Sequence, residues 1–436
     1  MRIAIVSDIH ANLAAFEAVL RHAKSVGFDK MVCLGDVIGY GPDPVECIDL
    51  VREHCEWSLL GNHDFAALYE PTNFNAAARD AVFWTRAQTV EQGWIRRKFA
   101  EARGLAIPSQ RTSSTKSASL PPCIVGLYRY ELAEGGNAIY RSHTAGTRFE
   151  GPTTIPLAHT AEALIVDGFE AFVIRYVNGE IEHVSGAHEA ALFNAWAAAP
   201  RVAPKPHFDL KTHGEDQLWK ELLAQHLPRV DFMFSISPRQ ILLDRYICVH
   251  ASPSRPVNEY LFPDDVTQGE RKLKRNFAAL SLPDAAGNPR RVSAIVGHTH
   301  CPGFILEDVD EISAKVRAAA EAQAGGSASL LQDEESEINY DWMAFDAGLS
   351  EWAVSERDMT PGRRFILNPG SVGQPRDHDP RSSYVILEEG TAGAPDRFTF
   401  HRVEYDIRRT QDRIKDLILR GAPLKDWLWQ RLEKGE

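Results

Sequence analysis

Five short apolar runs in this 436-residue chain end in residues that handle metals or protons. Run 3–7 leads into Asp8 and His10, run 31–35 into Asp36, and run 57–61 into Asn62 and His63. Run 246–249 leads into His250, and run 293–297 into His298 and His300. Carboxylate, imidazole and amide oxygen, with no thiolate, make a hard-to-borderline ligand set. Such a set favours Mn²⁺, Fe or Zn²⁺ over the all-oxygen sites of Mg²⁺ or Ca²⁺. The inventory suits two ions, since one carboxylate can bridge cations about 3.5–4 Å apart. Two such ions would lower the pKa of a shared water to give hydroxide near neutral pH, and clamp a phosphoryl group during in-line attack. An imidazole left off the metals can protonate the leaving oxygen. Taken singly, each motif has a blander explanation, such as a capped turn or a core histidine. Their common position after apolar runs is what argues for one site.

The elements that must position these residues are legible in outline. Residues 2–7 read as a buried strand, residues 12–26 as a helix with Asn12 at its N-cap, and residues 31–34 as a second strand. This is a βαβ unit, so its strands should be parallel. Residues 46–54 read as a helix and 57–60 as a third strand. Further strands are expected at 171–176, 246–249, 293–296, 365–367, 384–387 and 398–403. In an open α/β sheet the ligand edge lies outside the carboxyl ends of the strands, where all five motifs would fall. Residues 109–119 are rich in Ser and Thr without apolar period and read as a loop. Residues 312–324 read as an Ala-rich helix, followed by Gly325, Gly326 and an acidic run at 333–337. No internal repeat is visible.

Composition narrows the classes. Asp plus Glu number 60 against 48 Lys plus Arg, a net charge of −12, which disfavours a diffuse nucleic-acid binder or a binder of acidic membranes. A local basic stretch, residues 94–116, is the exception; it could face a polyanion or simply be a solvated helix and loop. The six cysteines form no CxxC pair, as expected in a reducing compartment. No run approaches the length needed to span a bilayer, so a cytoplasmic location is the expectation.

The ordered set Asp8-x-His10, Gly35-Asp36, Gly61-Asn62-His63-Asp64, His250 and Gly297-His298-x-His300 resembles the calcineurin-like metallophosphoesterase superfamily. The resemblance implies a four-layer α/β/β/α sandwich of two mixed sheets. It implies that Asp8, His10 and His300 hold one divalent ion and that Asn62, His250 and His298 hold a second. Asp36 would bridge the two, and His63 would act off the metals as the catalytic residue. Two divalent ions would be the cofactors, with Mn²⁺ preferred and Fe or Zn²⁺ the alternatives. Residues 39–44, the stretch 368–376 and the tail 402–431 are similar to a bacterial subgroup of small phosphodiesterases, the YfcE-like group. On this resemblance the core comprises 1–90, 245–305 and 363–436; residues 91–244 are a partly helical insertion expected to be a substrate or partner region, and 306–362 a second insertion, and the resemblance itself assigns neither a role. The Asn-Pro-Gly-Ser loop at 368–371 should return the chain beside the site. Arg376 and Arg381 are candidate phosphate contacts, since a guanidinium forks onto phosphate oxygens. The competing explanation for both is a structural ion pair.

One departure shapes the activity expected. Protein phosphatases and related diadenosine tetraphosphatases carry G-D-x-x-D-R-G, whereas here Gly39 stands where the second Asp would be and Tyr40 where the Arg would be. The expectation is therefore a dinuclear phosphoesterase acting on phosphodiesters or nucleotides. The alternatives are a phosphomonoesterase acting on small molecules and a non-catalytic scaffold on the same fold. Nucleic acid is a possible substrate but not a favoured one. Oligomeric state is open.

Overall fold

The computed structural model describes residues 1–104, 216–309, 338–355 and 363–436, apart from 69–73, 75, 91–92, 285–286 and 392–393. It also describes the backbone of five strands between residues 123 and 184. The loop 109–119, the helix expected at 312–324 and the acidic run 333–337 lie outside the described residues.

Two six-stranded mixed sheets carry the fold. Edge to edge, the first runs Glu351–Ser355, Arg397–Val403, Ser382–Glu388, Arg2–Val6, Lys30–Cys33 and Trp57–Ser58. Its last three strands are parallel, as the βαβ pattern requires, and the other pairings are antiparallel. The second runs Ile338–Ala344, Gly303–Val309, Phe365–Asn368, Ser293–Ile295, Tyr246–Val249 and Arg239–Leu242. Its three central strands are parallel to one another.

Strand alternation sends side chains to both faces, and this builds the layers. Ile3, Ile5, Val32, Leu387 and Phe400 meet Tyr246, Cys248, Ile295, Phe304 and Leu367 in a core between the sheets. Ala4, Val6, Met31, Cys33 and Ile386 point the other way, against helices Leu13–Val26 and Pro44–His54. On the outer face of the second sheet, Ile247, Val249, Ala294 and Ile366 pack on Leu273 and Phe277 of helix Glu270–Ala278. The result is the expected α/β/β/α sandwich. Asn12 caps its helix by accepting from Ala15 N, as its position suggested.

Several elements inside the expected insertions belong to these layers, among them strand Arg239–Leu242 at the far edge of the second sheet. Helix Gln217–Ser235 supplies Val230, Met233 and Phe234 to the outer core of the first sheet. Strands Ile338–Ala344 and Glu351–Ser355 close one edge of each sheet. Edge strands are chosen by pairing with residues far away in sequence, which a linear pattern does not reveal. Between residues 123 and 184 the chain forms a separate five-stranded antiparallel sheet, in which Glu170–Val177 covers the strand expected at 171–176.

Candidate metal centre

The carboxyl ends of Arg2–Val6, Lys30–Cys33, Trp57–Ser58, Tyr246–Val249 and Ser293–Ile295 converge. Their trailing residues Asp8, His10, Asp36, Asn62, His63, His250, His298 and His300 are all buried. Three overlapping groups have their donor atoms within 4.8 Å of one another: Asp8, His10 and His300; His10, Asp36 and His63; and Asp36, His250 and His298. Asp36 Oδ2 lies 3.6 Å from His10 Nε2 and 3.4 Å from His250 Nε2, so one carboxylate oxygen faces both ends of the cluster. Asp8 Oδ1 lies 3.1 Å from His300 Nε2, and Asn62 Oδ1 3.3 Å from His250 Nε2. His63 stands close enough to ligate as well, so distance alone does not set it apart from the other histidines.

The backbone is bent to make this possible. Asp8, His10, Asp36, His298 and His300 all have φ between 49° and 68°, the left-handed region that side chains other than glycine seldom adopt. Each such residue costs about 1–3 kcal/mol, and the strain is held by hydrogen bonds from elsewhere. Asp64 is one clamp, accepting from Val37 N, Ile38 N and Gly61 N. Gly61 is required beside it, since a Cβ there would stand 2.0 Å from Asp36 Oδ1. The Asn-Pro-Gly-Ser loop is the other clamp. Asn368 Nδ2 donates to Gly297 O and Thr299 Oγ1, Ser371 Oγ donates to Asp8 O, and Gly373 N donates to Asp8 O.

Ring-nitrogen roles follow from this surrounding shell. His250 Nδ1 faces Leu34 O at 2.9 Å, and His300 Nδ1 faces the carbonyl of Gln374. Both Nδ1 atoms must donate, which leaves each Nε2 as the nitrogen that faces the carboxylates and can ligate once deprotonated. His298 Nε2 is buried with no hydrogen-bond partner. Ring nitrogens facing oxygens, together with an orphaned imidazole nitrogen, fit divalent cations, and the donor types suit Mn²⁺, Fe or Zn²⁺.

Electrostatics point the same way. Burial works against ionising Asp8, but His300, His250 and the Ser7 hydroxyl hold its carboxyl at about 2. His10 and His298 are driven well below the ordinary imidazole value, by burial first and then by neighbouring histidines and Arg376. His63 is pushed down to about 4 by burial, against the pull of Asp36. His250 alone is pushed up, to about 9: burial opposes this, but Asp36 and Asp8 draw positive charge to it. Ionised carboxylates and neutral rings are the protonation states that metal ligands need; His250, which the carboxylates hold protonated, would have to give up that proton to an ion.

The two candidate arginines separate. Arg376 hydrogen-bonds the Tyr260 hydroxyl, and its charge is felt by His10, His63, His298 and His300. Arg381 instead grips Asp379 and donates to Leu349 O. The guanidinium of Arg381 is thus engaged in the competing arrangement, a structural ion pair. In the basic stretch, Arg103 pairs with Asp216 and Lys98 with Glu101, while Arg111 and Lys116 lie outside the described residues.

Three aromatic residues at the centre were not singled out for it from sequence. The Tyr260 ring stacks on His298 at 3.7 Å. Tyr40 lies 4.1 Å from the His63 ring, and Phe74 meets His63 edge-on at 4.9 Å. Tyr40 had a signal, its place in the Gly-Tyr-Gly-Pro-Asp-Pro motif; Tyr260 and Phe74 had none. Gly39 lets the His63 ring approach: at φ +94°, a Cβ there would lie 2.6 Å from His63 Nδ1.

Residues 1–190 match the sequence profile of the calcineurin-like phosphoesterase family. The match covers less than half of the chain and supports the calcineurin-like phosphoesterase superfamily for it. Over 86 residues it is 44% identical to an uncharacterized protein of Methanocaldococcus jannaschii, a match covering 19% of this chain and 35% of that protein. It thus matches about a third of that relative's length. A crystal structure of a metallophosphoesterase from Sphaerobacter thermophilus aligns over 100% of this chain and 99% of that one, at 24% identity and a TM-score of 0.48. The superfamily acts on phosphate esters, typically with divalent metals. The comparisons support the superfamily, and not the YfcE-like subgroup within it. No helix among the described residues is long and apolar enough to cross a membrane.

Proposed function

We propose that this chain is a dinuclear metal-dependent phosphoesterase that hydrolyses phosphodiester or nucleotide-type esters. The observation that carries this is the Asp36 carboxylate, whose Oδ2 faces His10 and His250 at once. Asp8, His10 and His300 would hold one ion, Asn62, His250 and His298 the other, and Asp36 both. Bound there, two divalent ions supply Lewis acidity and activate water for in-line attack at phosphorus. Residues 1–90, 245–305 and 363–436 would supply this machinery, and the rest of the chain would shape access to it.

The chain's own residues do the remainder. Arg376 offers its guanidinium to the non-bridging oxygens of the phosphoryl group. His63 is held neutral by burial, so near pH 7 it serves better as an N–H donor to the oxygen gaining charge than as a proton source. Its Nδ1 has no hydrogen-bond partner, and Gly39 packs against it where an orienting carboxylate would stand in a G-D-x-x-D-R-G motif. This favours diesters over phosphoproteins. Tyr40, Tyr260 and Phe74 exclude water around the histidines and offer flat faces to an organic ester group.

The test is one rate pair. The protein is stripped with chelator, reloaded with Mn²⁺ and assayed on bis(p-nitrophenyl) phosphate and on p-nitrophenyl phosphate. Faster diester turnover is expected. Monoester preference would overturn the diester assignment. Silence on both with Mn²⁺, Fe²⁺ and Zn²⁺, metal being bound, would favour the scaffold alternative.

A further inference from the structure

Arg431 is a half-buried cation with no ion-pair partner among the described residues. It begins the short helical turn Arg431–Glu433, after Trp427–Gln430 near the C-terminus. Its guanidinium lies over the Tyr40 ring at 4.8 Å and the Trp427 ring at 4.9 Å. Tyr40 in turn touches the His63 and His10 rings, at 4.1 Å and 5.0 Å. The charge therefore sits one aromatic ring away from the metal centre, and it is felt by His10 and by Arg376. Arg431 Nε and Nη2 are both buried without a hydrogen-bond partner, and neither Arg431 nor Arg376 has an ion-pair partner among the described residues.

Such an arrangement is costly. A desolvated guanidinium leaves unmade charge-assisted hydrogen bonds, and two like charges share one recess. The segment is nevertheless firmly built in. Leu424, Leu428 and Leu432 are buried against Trp84, Ile414 and Leu417, and Gly435 O accepts from His378 N, two residues from Arg376. An anchored tail that delivers an unpaired guanidinium beside a second arginine fits an anion supplied from outside the protein. An anion on Arg431 would meet the guanidinium where it lies over Tyr40 and Trp427, and Tyr40 in turn touches His63 and His10.

We propose that Arg431 forms a second anion subsite beside the metal centre, next to Arg376 on the scissile phosphoryl group, and that this subsite receives a further phosphoryl group of the substrate. The proposal rests on the phosphoesterase reading for its placement, and it narrows the substrate class to esters carrying a second phosphoryl group about one ring's width from the scissile one. Arg431 is thus a specificity-determining residue that reaches the site from the opposite end of the chain.

Binding tests this without turnover. Thymidine 3′,5′-bisphosphate and thymidine 5′-monophosphate are titrated calorimetrically into the metal-loaded protein. The wild type is expected to bind the bisphosphate at least about tenfold more tightly, the increment of one charge-assisted hydrogen bond. Arg431→Gln should bring the two ligands within twofold. Arg431→Lys, which keeps the charge and loses the fork, should retain part of the preference. Thermal melts establish that each variant is folded. A wild-type ratio within twofold overturns the proposal, as does a folded Arg431→Gln protein that keeps the full ratio. Turnover of the p-nitrophenyl ester of thymidine 5′-phosphate, with and without a 3′-phosphate, is followed separately. No turnover with any ion counts against the phosphoesterase reading, while the binding ratio still decides the subsite.

Discussion

Replacing Gly39 with alanine perturbs His63 without touching any residue of the proposed ligand set. A Cβ at position 39 would lie 2.6 Å from His63 Nδ1 and 2.9 Å from its Cβ and Cγ. The ring must give way by approaching 1 Å to reach ordinary contact, yet Tyr40 at 4.1 Å, Phe74 at 4.9 Å and His10 at 4.9 Å enclose it on other sides. A misplacement of about 1 Å in a positioned group costs on the order of 10²-fold in rate. The backbone adds its own penalty: an alanine at φ +94° is strained by about 1–3 kcal/mol, so the melting temperature should fall. The assay has two readouts, ions per chain by mass spectrometry and kcat on bis(p-nitrophenyl) phosphate with Mn²⁺. Two ions should remain, with kcat down about 10²-fold, the scale of losing one transition-state donor. Wild-type kcat in a folded, metal-loaded variant would refute a catalytic role for His63. Loss of an ion would show instead that His63 is a ligand.

Other perturbations separate the remaining roles. Asp36→Asn keeps an acceptor for His63 N, which donates to Asp36 Oδ1 at 2.8 Å, but removes the charge that serves both ends of the site. It should lose both ions and turnover together, and metal analysis that finds either ion bound at wild-type affinity would contradict the bridge. Arg376→Ala should raise KM at least about tenfold, the scale of a lost charge-assisted contact, whereas Arg381→Ala should leave kcat/KM within about twofold. Equal effects of the two variants on KM would undo their separation. His401, buried between Tyr384 and His22, is pushed down to about 4 by burial, then by His22 and Arg2. Because its folded pKa lies below the unfolded value, the unfolded chain takes up the proton first, and stability falls as pH drops from about 6.5 to 4. The loss is at most about 3 kcal/mol, less where solvent screens the ring. Urea titrations of His401→Gln should show a flatter dependence over that window, and an unchanged slope would refute it.

The strand-end motifs were legible because a linear pattern holds what a strand needs. Apolar runs such as 3–6 and 246–249 become central strands whose alternation fills the cores on both faces, and the residue after each run must emerge at the carboxyl edge. The βαβ unit at the N-terminus fixes the direction of its two strands for the same local reason. Residue type then names the chemistry, since aspartate and histidine at such an edge have few uses apart from metals and protons.

What the sequence alone determined is therefore the set of metal-capable side chains, the sheet edge it sits on and the superfamily it resembles. Tertiary structure decided the rest, because those features are made by residues distant in the chain. Arg376 and Arg381 look alike in sequence, and only Asp379 and Leu349, packed around Arg381, divide one from the other. The left-handed φ values at Asp8, Asp36 and His298 exist only because Asn368, Ser371 and Asp64 brace those turns. Tyr260 carries no motif and Arg431 only closes the tail that shows the subgroup resemblance, and their place at the centre comes from the stacking of Tyr260 on His298 and from the tail that brings Arg431 over Tyr40. Charge and strain of this kind are properties of proximity in space, which composition and spacing along the chain do not encode.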